Sequence, residues 1–190
     1  MGNTVPDREQ ALELLKKYNR TESLINHALA VESVMLHFAE LLGEDNKEKW
    51  GIIGLVHDLD YEMYPEQHCA KTKEILEKEN WPKDYIRAIV SHGWNICSDV
   101  EPMETMEKVL YTIDELTGLI YANALMRPTG LEGMKVKSVK KKWKDKSFAA
   151  GVNRDIIAKG AEMLGMDLNE IIQETIKGMD RVAEDIGLRK

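Results

Sequence analysis

Between residues 21 and 43 the chain reads TESLINHALAVESVMLHFAELLG. Leu24, Ala28, Val31, Met35, Phe38 and Leu42 recur there every three or four positions. That is the period of a helix with one apolar face. The same spacing runs along nearly all of the chain. DREQALELLKKYN opens it, with Asp7 placed as an N-cap, and NKEKWGIIGLVHDLD is strongly apolar in its middle. EQHCAKTKEILEKEN and KDYIRAIVSHGW follow, and ETMEKVLYTIDELTGLIYANALM reads as a long, mostly buried helix. Thr21 suits the start of the second helix and Gly43 its end. Pro65, Pro82 and Arg127-Pro128 punctuate the run. A short lysine-rich helix is expected within 135–146, and two more near NRDIIAKGAEMLG and DLNEIIQETIKGMDRVAEDIG. Alternating β-branched runs are scarce. The pattern predicts an all-α protein of about eight or nine helices. Residues 1–20 would form an N-terminal helix, 21–127 a core, and 128–190 a helical extension packed on it.

Composition narrows the class. Hydrophobic residues make up 43% and charged residues 31%, proportions that suit a globular core in water. No apolar run has the length a bilayer requires. The first twenty residues lack the apolar centre of a secretory signal, so a cytoplasmic protein is expected. Cys69 and Cys97 have no Cys-x-x-Cys spacing, and two reduced thiols are expected rather than a zinc ribbon or a disulfide framework. Net charge is -7, yet residues 135–146 hold seven lysines against one aspartate. An acidic chain is a poor general binder of nucleic acid. The basic stretch suits either a phosphate or a solvated lysine face.

Candidate chemistry lies in the histidines and in acids set among apolar residues. His27 falls on the apolar stripe of its helix, whereas His37 falls off it and is expected to face solvent. His57 and Asp58 end an oily segment. Asp114 lies mid-helix in VLYTIDELTGLI. A buried carboxylate is costly unless a cation or hydrogen bonds offset it. Taken singly, each residue reads as a hydrogen-bonded core group. Together, two imidazoles and two carboxylates from three helices suit a divalent ion such as zinc, iron, manganese, cobalt or nickel.

The order His27, His57-Asp58, Asp114 on a helical chain resembles the HD superfamily of metal-dependent phosphohydrolases. HALAVESVM is similar to that family's first-histidine helix, GIIGLVHDLDYE to its His-Asp segment, and LYTIDELTG to the helix that closes its site. The resemblance spans roughly residues 20–125. MKVKSVKKKWKDKSFAAGVNRDII also resembles a prokaryotic subgroup of HD proteins. The resemblance implies an HD-domain helical bundle whose four residues hold a divalent ion. It implies hydrolysis of a nucleotide or another small phosphate ester by water that the ion activates. His68 and His92 match positions that bind a second ion in some HD proteins, with Asp58 then bridging the two ions. Their alternative is a pair of exposed loop-end histidines. The chain departs from several nucleotide-cleaving relatives at Tyr61, where they carry an acid or a lysine. Asp60 and Glu62 flank that position and join Asp58 as catalytic candidates. Lys135 and Lys137 are candidates for holding the phosphate. Two other functions fit the same residues: a two-iron oxygenase of HD type, and a non-catalytic helical interaction module that a metal stabilises.

Overall fold

Helices form where the periodicity places them. The computed structural model describes residues 5–189. Among these residues there are nine α-helices and no strand. They are α1 (Arg8–Tyr18), α2 (Glu22–Leu41), α3 (Lys47–Val56), α4 (Ala70–Lys78), α5 (Lys83–Ser91), α6 (Thr105–Leu125), α7 (Val136–Lys144), α8 (Arg154–Leu164) and α9 (Leu168–Asp180). A 3₁₀ turn at Pro65–Gln67 precedes α4. No described helix is long and apolar enough to cross a membrane.

Local chemistry explains the starts. Asp7 accepts the Gln10 N–H at 2.8 Å, and the Gln10 side chain accepts the Asp7 N–H at 3.1 Å. This reciprocal cap satisfies two orphan donors of α1. Thr21 precedes α2, but its hydroxyl makes no cap. It donates instead to Glu62 at 3.0 Å.

The helix α2 is the axis of the core. Its Val31, Val34, Met35 and Phe38 are fully buried, and α3, α6 and α9 pack against it. Each such side chain contributes about 1.5–3 kcal/mol on burial. Gly54 lets α3 come close, because a Cβ there would stand 2.9 Å from Met35 Cγ and 3.1 Å from the Val31 carbonyl oxygen. That approach carries the end of α3 toward His27.

Residues beyond 128 share this core. Val139, Ile157, Ile171, Ile172, Met179 and Leu188 belong to the same apolar cluster as Phe38 and Leu110. The helix α8 lies on α6 and α9 lies on α2. Here the expectation for His37 needs correcting. Its side chain is 18% exposed, and its Nε2 stands 2.7 Å from Glu174 Oε2 on α9. The face of α2 that lies off the main stripe is the face α9 covers.

Candidate metal centre

Five segments converge on one cavity. His27 comes from the first turns of α2. His57 and Asp58 follow the last residue of α3. His68 precedes α4, His92 follows α5, and Asp114 sits in the middle of α6. His27 Nε2 lies 2.9 Å from Asp114 Oδ1 and 3.8 Å from Asp58 Oδ2. His57 Nε2 lies 3.3 Å from each of those two oxygens. Donors about 2.0–2.2 Å from a common zinc-like ion stand roughly 3–3.5 Å apart; the three shorter separations fit, and His27 and Asp58 stand slightly wider.

The histidines are set for metal by their far nitrogens. His57 Nδ1 donates to the Gly54 carbonyl at 2.8 Å, and His92 Nδ1 donates to the Ile89 carbonyl at 2.6 Å. His68 Nδ1 donates to Asp60 Oδ1 at 2.7 Å. Each of these bonds fixes the tautomer and leaves Nε2 with its lone pair free, as second-layer partners of metal-binding histidines do. His57 Nε2 is buried and makes no hydrogen bond. It faces the Asp58 and Asp114 carboxylates at 3.3 Å with either a proton or, in its place, a metal cation.

A second set of donors lies across Asp58. Its Oδ1 stands 3.5 Å from His68 Nε2 and 3.4 Å from His92 Nε2, and those two nitrogens are 3.2 Å apart. At that separation a proton or a metal cation must lie between the two nitrogens. The two oxygens of Asp58 thus face two different imidazole pairs. All six residues expected to ligate metal are brought together. His68 and His92 are not exposed loop-end groups, since their side chains are 16% and 4% exposed.

Charge within the cage is strongly biased. Burial works against a charged His57, but the carboxylates of Asp58 and Asp114 outweigh it and push His57 well above its ordinary value. Burial likewise opposes ionised Asp58 and Asp114, and the neighbouring imidazoles hold both well below the ordinary carboxylate range.

The remaining candidates do not face the cage. Asp60 is fully buried, and its two oxygens are engaged by His68 Nδ1 and by the Thr72 N–H at 2.7 Å. It positions His68 from behind and has no free oxygen for a substrate proton. Glu62 turns away to accept the Arg20 and Thr21 N–H groups at 2.7 and 3.0 Å. The start of α2 needs that negative charge. Lys135 and Lys137 line a separate surface hollow with Lys140, Lys141 and Lys144, because α7 lies on α6 and α9 away from the cage.

Glu115 was not singled out from sequence, although it adjoins Asp114 in the same helix. It lines the cavity of about 400 Å³ that holds the cage. Burial and the nearby Asp114 charge raise its pKa. Its Oε2 accepts the Asn153 N–H at 2.9 Å. That bond ties α6 to the loop before α8, where Gly151 and Val152 complete the cavity wall. Arg154 organises the loop. Its guanidinium donates to the carbonyls of Lys142, Trp143, Asp145, Phe148, Ala149 and Val152 at 2.6–3.5 Å.

Both cysteines border the same place. They are free thiols, as composition led one to expect, yet their sulfurs lie 2.7 Å apart. Cys69 also offers its sulfur to the His68–His92 group. The hydrogen bond from Cys69 lowers Cys97 to about 6, and Cys69 is pushed up in return.

No family model matches this chain, and no solved structure matches it.

Proposed function

We propose that this chain is a metal-dependent phosphohydrolase of HD type, acting on a nucleotide or another small phosphate ester. The observation that carries the reading is Asp58. One carboxylate faces His27 and His57 through Oδ2 and His68 and His92 through Oδ1, as a bridging ligand of two divalent ions would. Asp114 completes the first set. Bound there, divalent ions supply activated water and positive charge against the phosphoryl oxygens.

Each protein group then has a role. His27, His57 and Asp114 would hold one ion, His68 and His92 a second, and Asp58 would serve both. Asp60 keeps the His68 proton on Nδ1. Glu115, which lines the cavity and whose pKa burial raises, carries a proton to or from the reacting groups. Among the described residues, no lysine or arginine lines the cavity. Positive charge to attract an anionic ester would therefore come from bound ions.

The test is elemental analysis of purified protein, combined with turnover on a panel of nucleotides and phosphomonoesters. Wild type should hold up to two ions per chain and turn over at least one substrate. Asp58→Ala should lose metal and turnover together, and an Asp58→Ala protein with full metal content and full activity would refute the assignment. Full metal occupancy with no turnover on any ester would favour the interaction module. The bridged six-residue cage also favours one second reading, an oxygenase with two irons. Two irons per chain, a mixed-valence signal and oxygen uptake without ester hydrolysis would select it.

A further inference from the structure

We propose that Cys69 and Cys97 form a reversible disulfide in response to peroxide, a modification site at the rim of the metal cage. It stands apart from the phosphohydrolase reading, because it needs neither an ion nor a substrate. The two residues lie 28 positions apart in sequence, yet their sulfurs are 2.7 Å from one another. A disulfide bond is about 2.05 Å long, so bond formation closes a gap of roughly 0.7 Å. The surroundings are built around the pair. Gly93 lies against both sulfurs, and a Cβ at that position would collide with each of them. Cys69 holds its sulfur there at the cost of a backbone φ of +65°, a conformation uncommon outside glycine.

The two thiols differ in access. Cys69 is 1% exposed, whereas Cys97 is half-buried and lines the cavity. Cys97 is therefore the residue that meets the oxidant. Its sulfur attacks one oxygen of a hydroperoxide, the O–O bond breaks, and a sulfenic acid forms as water leaves with the thiol proton. Cys69 then attacks the Cys97 sulfur. The S–S bond forms, the S–O bond breaks, and hydroxide departs with the Cys69 proton as a second water. Two thiols lose two electrons in all, and hydrogen peroxide gains them to become two waters. A dithiol reverses the change by exchange. One sulfur belongs to the residue after His68, and the other packs against the residue after His92. The bond therefore ties together the backbones that carry the second pair of imidazoles.

The full chain as purified is reduced, treated with an equimolar dose of hydrogen peroxide, alkylated, and read by intact mass and peptide mapping. The expected product has lost two hydrogens, resists alkylation, carries a Cys69–Cys97 cross-linked peptide, and returns to the dithiol form with dithiothreitol. Cys69→Ser should accumulate a sulfenic acid on Cys97 that dimedone traps. Cys97→Ser should leave Cys69 reduced at the same dose. Both thiols alkylated in treated wild type, or Cys97 driven on to sulfinic acid with no cross-link, would overturn the proposal. So would a fall in bound metal in reduced Cys69→Ser together with no cross-link in treated wild type, which would make that thiol a metal ligand instead.

Discussion

Replacing Asp60 with asparagine separates the two halves of the cage. Asp60 is fully buried and accepts two hydrogens, from His68 Nδ1 and from the Thr72 N–H, each at 2.7 Å. Asparagine keeps the volume but has one acceptor and one donor. If its oxygen stays with the Thr72 N–H, its amide nitrogen faces His68 Nδ1 and forces that nitrogen to accept. The His68 proton then moves to Nε2, which points at Asp58 and His92 and can no longer bind an ion. If the amide turns the other way, two donors meet at Thr72. Loss of such a partner typically weakens metal affinity by about 10–100-fold, or roughly 1.4–2.7 kcal/mol at 1.36 kcal/mol per decade. The Asp60 carboxylate bonds to His68 and Thr72 rather than to His27, His57 or Asp114, so the affinity for the first ion should fall much less. Titration with Mn²⁺ or Zn²⁺ against a competing chelator resolves the two affinities, and near-ultraviolet circular dichroism checks the fold. Two ions bound at wild-type affinity in folded Asp60→Asn would refute the reasoning. Equal weakening of both would refute it too.

Other outcomes follow from the same geometry. Glu115→Gln should lower kcat by about 10²–10⁴-fold, the usual range for a lost acid–base group, while elemental analysis finds the metal content unchanged. Arg154→Ala should cost about 1.5–3 kcal/mol, since it removes hydrogen bonds from a charged donor, and limited proteolysis should open within 142–152. Stability of the chelator-treated protein should fall with alkalinity. His57 and His68 are raised in the fold, so their contribution is complete below about pH 6.5 and is lost as pH climbs through their raised values. Asp58 and Asp114 are depressed, so theirs is present above about pH 4 and fades in acid. Ions displace the imidazole protons, so added metal should raise the melting temperature more at pH 8 than at pH 6, which thermal melts with and without chelator will measure.

Much of this was legible in the chain itself. Helical period, capping residues and prolines located every helix, because those signals act within a few residues. His27, His57, Asp58 and Asp114 stood out because charge in an apolar setting demands a partner wherever it folds. What local pattern cannot reveal is direction. Asp60 and Glu62 flank Tyr61 alike in sequence, yet one is sealed behind His68 and the other is drawn outward to the start of α2. Lys135 and Lys137 follow α7 away from the cage. His37 is covered only because α9 returns to α2 more than 130 residues later. The meeting of Cys69 with Cys97, and of Glu115 with Asn153, likewise depends on how distant helices cross. Periodicity determined which residues had to leave water, and packing alone decided which of them would face one another.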